Sequence, residues 1–197
     1  MRGLKARARR AVLALGRRLP APVKRSLKSA RRRRTPNERA TASFVRHHAR
    51  DLRGRVLELR EPRYTRAFGH DVSSIDVLDV DPRSHVVTVL AALDDEASLP
   101  RGAYDCVLLI DGLRGVRDVR GALANAWSAV APGGVLLLTL PEGATLPEGA
   151  TLPEGELASS GSLDLEEALR SACPGADREV MPFGRLTTAR VVRRVAP

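Results

Sequence analysis

Aromatic residues are scarce in this sequence of 197 residues: three Phe, two Tyr and one Trp, 3% of the total. Its core must therefore be built from Val, Leu and Ala. Cysteine is nearly absent too. Cys106 and Cys173 stand far apart in unrelated contexts, so neither a disulfide framework nor a zinc site can be assembled from them, and a reducing cytosol is the simplest compartment. No apolar run approaches the roughly 18 residues that a membrane span needs. The short run Ala11–Gly16 follows Arg9-Arg10 in the manner of a leader, but it runs straight into Arg17-Arg18 and is too short for one. Lysine occurs only at positions 5, 24 and 28 among 33 basic residues, a bias expected of a GC-rich bacterial coding sequence. Ser/His/Asp sets, P-loops and paired-carboxylate hydrolase patterns are missing as well.

What remains is a composition of 43% hydrophobic and 28% charged residues, enough for one globular domain, or one domain plus a tail. Charge is unevenly placed. Residues 1–60 carry 20 Lys and Arg against Glu38, Asp51 and Glu58, whereas the remaining 137 residues carry 13 basic and 20 acidic side chains. The chain thus reads as a basic arm, residues 1–37, joined to a mildly acidic domain, residues 38–197.

Within the arm, Leu4, Ala8, Ala11, Val12, Leu15 and Leu19 recur at helical spacing between arginines, which predicts an amphipathic basic helix ended by Pro20-Ala21-Pro22. A short basic helix, Val23–Ala30, and the run Arg31–Arg34 follow. Glu38–Leu52 predicts a further helix. From Arg55 onward, short apolar runs alternate with helical stretches. Arg55–Leu59, Val72–Val80, His85–Leu90, Tyr104–Ile110 and Gly134–Leu140 read as buried strands, and Glu179–Phe183 and Leu186–Val195 as two final ones. Val116–Val130 and Leu163–Ala172 read as helices, the first closed by Pro132-Gly133-Gly134. Apolar strands alternating with helices predict an α/β fold: a Rossmann-like, mainly parallel seven-stranded sheet covered on both faces by helices. Between the last helix and its preceding strand the hexapeptide T-L-P-E-G-A stands at 139–144, repeats at 145–150 and begins again at 151. A tandem duplication within residues 139–156 explains this better than a repeat architecture, and its proline and glycine content predicts an extended surface loop.

R-G-R-V-L-E-L, then Y-D-C-V-L-L-I, then P-G-G-V-L-L-L-T-L-P, in this order, resemble the class I S-adenosylmethionine-dependent methyltransferases over about residues 40–195. More narrowly, Arg53–Gly69 resembles a bacterial branch whose first loop reads G-D-x-x-Y-T-R-x-F-G and which is often found near glycan-modifying enzymes. The resemblance implies a cleft beyond the carboxyl ends of the strands, where the strand order reverses. It implies S-adenosylmethionine as cofactor, held by Glu58, Arg60, Glu61, Asp76, Leu93 and Asp94. Asp76 follows Glu58 by 18 residues, the spacing of an acid that accepts ribose hydroxyls, with Asp79 and Asp81 near the same register. Arg60 occupies the family's first-loop glycine position, and Ala91-Ala92-Leu93 replaces the family's A-D-L.

Asp111, which starts the loop after the fourth strand, is the candidate base for an acceptor that must lose a proton, or else a cap for the following helix. Arg114 stands where the family often has histidine. His47, His48 and His70 read as isolated surface residues. The resemblance thus implies a methyltransferase acting on a glycan or glycan precursor. The competing reading, motivated by Arg60 and Ala92, is a non-catalytic member of the fold that binds a partner. Its 14 basic residues without a carboxylate in 1–34 suit an anionic membrane or RNA, and no aromatics are interleaved among them. A cytoplasmic protein, peripheral to the membrane if the arm binds lipid, is the expected setting.

Overall fold

The computed structural model describes residues 34–141 and 164–195. The expected arm helices and most of the duplicated hexapeptide lie outside them. Helix α1, Pro36–His47, begins in a capping box: the Thr35 hydroxyl accepts from Glu38 N and the Glu38 carboxylate accepts from Thr35 N. A single 3-10 turn, Ala49–Asp51, then leads into strand β1, Gly54–Leu59. Helix α2, Arg63–Phe68, follows, then β2, Val72–Asp79, and the two-residue β3, Val89–Leu90. The chain continues with β4, Tyr104–Ile110, helix α3, Val119–Ala129, and β5, Val130–Pro141. Helix α4, Leu165–Ala172, and the hairpin of β6, Asp177–Pro182, and β7, Leu186–Val192, complete it.

All seven strands join one sheet in the order β3-β2-β1-β4-β5-β7-β6. The first five are parallel, and β7 runs antiparallel between β5 and β6. The sheet is therefore mixed at one edge, with β1 and β4 at its centre. Alternation along each strand divides the core in two. Leu57, Val107, Leu109, Leu136 and Leu138 face α3 and α4, while Val56, Cys106, Leu108, Val135 and Leu137 face α1 through Phe44 and Val45. Both faces are apolar because both are covered, which is why these strands read as unbroken hydrophobic runs.

Three expectations need correction. The third strand shrinks from six residues to two, because residues 82–88 turn instead: Thr88 N donates to Val77 O and the Thr88 hydroxyl accepts from Val77 N. Pro132-Gly133-Gly134 does not close α3, which ends at Ala129 and passes directly into β5; Gly133, at φ 78°, belongs to an irregular pairing near Tyr104. His48 is not a surface residue. It is 9% exposed with its ring 4.8 Å from Phe44, and burial lowers its pKa below 6.5 against the opposing pull of Asp51. Both cysteines are buried and free.

Candidate functional site

The strand order reverses between β1 and β4, and the loops leaving the carboxyl ends of β1, β2, β3 and β4 meet there around a cleft of about 190 Å³. The first loop supplies Arg60. Its backbone is left-handed, φ 65°, and its N–H donates to Leu78 O at 2.8 Å, tying the end of β1 to β2. A non-glycine residue pays steric strain in that region, about 1 kcal/mol or more. The backbone thus keeps a conformation suited to glycine although the residue is arginine. Its side chain is exposed at the rim.

Glu58 does not reach the cleft. It is 1% exposed beneath the loop, its two carboxylate oxygens accepting from Tyr64 N at 2.8 Å and Thr65 N at 2.9 Å in the first turn of α2. Burial raises its carboxyl pKa, and these hydrogen bonds oppose the rise. It anchors the loop and caps α2. Glu61 is exposed and does not line the cleft.

Asp76 is also displaced from its expected place. It sits three residues before the end of β2, where Arg55 grips Oδ2 through Nε at 3.1 Å and Nη2 at 2.7 Å. The Tyr104 hydroxyl, at 3.2 Å, and the Thr88 hydroxyl, at 3.0 Å, complete its partners. It is not among the cleft-lining residues, and it ties β1, β2 and β4 together away from their carboxyl ends. Asp79, the last residue of β2, does line the cleft. Its Oδ1 accepts from Val80 N at 2.7 Å and Asp81 N at 3.3 Å, and Oδ2 makes no hydrogen bond among the described residues.

Ala91, Ala92, Leu93 and Asp94 form the wall after β3. Leu93 is buried, and Asp94 Oδ2 accepts from Arg117 N and Asp118 N just before α3. Asn125, which sequence reasoning passed over, organises this wall. Its amide nitrogen lies within 3.0 Å of Leu93 O, Asp95 O and Ser98 Oγ, from the buried side of α3. A polar residue on an otherwise apolar helix face was the available signal.

After β4, Asp111 is left-handed too, φ 52°, with its N–H on Thr139 O and Oγ1. Its Oδ2 lies 3.6 Å from Arg114 Nη1, while Oδ1 is buried without a hydrogen-bond partner. Burial raises its pKa above 3.8, and Arg114 and then Arg60 pull it back down. Gly112 next to it packs tightly: a Cβ there would stand 3.0 Å from the Leu59 side chain and 3.1 Å from Leu109 Cβ. Arg60 and Arg114 thereby line one side of the cleft, with Asp79 and Asp94 contributed by the loops after β2 and β3, and Asp111 stands just behind the lining, next to Gly112.

No family model matches this sequence, and no curated protein matches it. Solved structures do. The chain superposes on an S-adenosylmethionine-dependent methyltransferase from Mesorhizobium loti with a TM-score of 0.59 at 16% identity, covering 78% of this chain and 98% of that one. For the N-methyltransferase NodS from Bradyrhizobium japonicum the TM-score is 0.56 at 16% identity, over 81% and 98%. For DhpI, solved as its SAH complex, it is 0.56 at 22% identity, over 82% and 86%. The fold is that of the class I S-adenosylmethionine-dependent methyltransferases. In this Rossmann-like methyltransferase fold the cleft stands at the reversal between β1 and β4, beyond the carboxyl ends of the parallel strands. Among the described residues no group of His, Cys, Asp and Glu could hold a metal ion, and no helix is long and apolar enough to cross a membrane.

Proposed function

We propose that the protein is an S-adenosylmethionine-dependent methyltransferase acting on a small-molecule acceptor, with a glycan or glycan precursor as the acceptor class suggested by the sequence of Arg53–Gly69. The observation that carries this reading is Asp79: an acid at the carboxyl end of β2, on the cleft, with one carboxylate oxygen holding its own turn and the other without a partner. Such an oxygen suits the ribose hydroxyls of a nucleoside. The remaining donors and acceptors fit the cofactor as well. Ala91–Asp94 offer an apolar and backbone wall for the adenine. Arg60, exposed at the rim, suits the methionine carboxylate, which arginine grips in bidentate fashion. At about 190 Å³ the cleft is smaller than the ~300 Å³ at which ligand pockets begin, and the exposed Arg60 and Arg114 side chains are part of its lining.

S-adenosylmethionine, when bound, supplies an electrophilic methyl group. The protein's part is positioning, which accounts for most of the rate in a displacement of this kind, and handling of the acceptor's proton. Asp111 suits the second task. It starts the loop that supplies Gly112 to the cleft lining, and an acceptor O–H or N–H would donate to its carboxylate. Burial raises its pKa, and Arg114, 3.6 Å from Oδ2, opposes that rise. Glu58 and Asn125 hold the first and third loops in place.

One observation favours a second reading. Two arginines crowd a small cleft, and the fold's usual glycine is replaced by one of them. On that reading the chain binds a partner and no longer the cofactor. Isothermal titration with S-adenosylhomocysteine decides between them: micromolar binding that Asp79→Ala abolishes supports the enzyme, and no heat at millimolar ligand supports the non-catalytic protein.

A further inference from the structure

A second concavity lies away from the cleft, between α1 and the turn joining β6 to β7. It measures about 490 Å³. One wall is the helix, with Arg39 and Arg46 one heptad apart and Arg34 just before its first turn; all three are exposed. The other wall is Phe183 and Gly184. A Cβ at Gly184 would stand 3.4 Å from Ala40 Cβ, so the turn and the helix meet at that point and close the groove there. Ala40, Ala42 and Ser43 carry short side chains, which leaves the helix surface open to close approach between the arginines.

Charge in this groove is of one sign. Among its described lining residues are three guanidinium groups and no carboxylate. Glu38, on the same helix, directs its carboxylate to Thr35 N at 2.7 Å and to Arg63 Nη1 at 3.4 Å. Arg46 is steadied by the Phe68 ring, 5.3 Å from its guanidinium carbon. Phe183 packs edge-on against Phe44 at 6.0 Å and remains half-buried, so part of its ring stays accessible. A bilayer would need apolar anchors around such a patch. Among the described residues the exposed large hydrophobic ones are Val80, Leu90 and Val195, and none of these lines the groove. A concave, uniformly cationic track with an aromatic wall instead matches the way proteins hold a single strand, by phosphate pairing and base stacking.

We propose that the groove formed by Arg34, Arg39, Arg46 and Phe183 binds the phosphodiester backbone of a single-stranded nucleic acid. This surface is separate from the proposed methyltransferase cleft and does not depend on it.

The test compares the full chain with its Arg34→Gln/Arg39→Gln/Arg46→Gln variant, by fluorescence anisotropy with a 12-nucleotide oligouridylate across a range of salt. Each phosphate pairing with a single strand contributes about 0.7 to the slope of log affinity against log salt. Loss of three should flatten the slope by about 2 and weaken binding about 100-fold at 0.1 M salt. Phe183→Leu, which keeps an apolar contact with Phe44, should weaken binding about tenfold through lost stacking. Because the difference between the two proteins is read, the arginines of residues 1–33 cancel. The substituted side chains are exposed, and an unchanged melting temperature confirms that the variant folds. Equal affinity and equal slope for both proteins would overturn the proposal, as would absence of oligonucleotide binding by the full chain. A variant that keeps oligouridylate but loses phosphatidylglycerol vesicles would make the partner a membrane, and overturn it equally.

Discussion

Arg60 and Asp111 close neighbouring parallel strands with the same left-handed backbone, φ 65° and φ 52°, at the point where the sheet reverses its order. Neither is glycine, and the charge of Arg60 acts on the Asp111 carboxyl, opposing the rise in its pKa. Two left-handed non-glycine positions thus stand side by side where the strand order reverses.

Arg60→Gly separates backbone strain from cofactor contact. Removing the left-handed strain should stabilise the protein by about 1 kcal/mol, raising its melting temperature by about 2–4 °C in a chain of this size. The same change should weaken S-adenosylhomocysteine binding measured by calorimetry, since the guanidinium is lost. Tighter binding would instead make Arg60 an obstruction to the cofactor.

Asp76 and Asp79 should exchange the roles that the family resemblance implies for them. Asp76→Asn breaks the grip of Arg55 and should cost about 1 kcal/mol, discounted because Arg55 is partly exposed, with ligand affinity unchanged. Asp79→Asn should leave thermal stability nearly unaltered and remove S-adenosylhomocysteine binding. A denaturation curve and a titration on each variant check both halves.

Stability should depend on pH through Asp111 and Glu58. Burial raises both carboxyl pKa values above their ordinary 3.8 and 4.5, so the folded state holds these protons more tightly than the unfolded chain. That contribution is present at and below the ordinary carboxylate range and is lost as pH climbs through the raised folded values. Asp111→Asn removes its share. Between about pH 4 and pH 7, the difference in melting temperature between variant and parent should therefore grow in the variant's favour. Methyl transfer should fall in the same variant while S-adenosylhomocysteine still binds.

Asn125→Leu should cost about 2–3 kcal/mol, because the carbonyls of Leu93 and Asp95 lose their donor while partly or fully buried. Faster hydrogen exchange at residues 91–98, with the helix itself still protected, is the expected signature. Weaker cofactor binding should accompany it, because that segment forms one wall of the cleft.

The central strands were legible because they are covered on both faces and so are apolar throughout. Helix α2 was not. Arg63–Phe68 has no apolar period, and its first turn is held by Glu58, a residue from the preceding strand. Asp76 and Asp79 were inseparable by counting, since both stand about 20 residues past Glu58. What divides them is where the strand stops, and the Asp79 side chain makes that stop by accepting from the two amides that follow it. The conformation of Arg60 is written in no arginine; only its alignment with a glycine position hinted at it. Asn125 was visible as a polar break in the α3 face, but its three partners come from a loop that no periodicity predicts.

The duplicated hexapeptide enters from an end that is already secured and leaves into another. Pro141 is paired with Leu186 across the sheet, and Asp164 accepts from Glu166 N and Glu167 N at the start of α4. Between two such anchors, chain length is nearly free: lengthening a 22-residue connection by one six-residue copy costs only about 0.2 kcal/mol in closure entropy. The same tolerance makes it the natural port for grafting a tag, an epitope or a whole domain onto the scaffold.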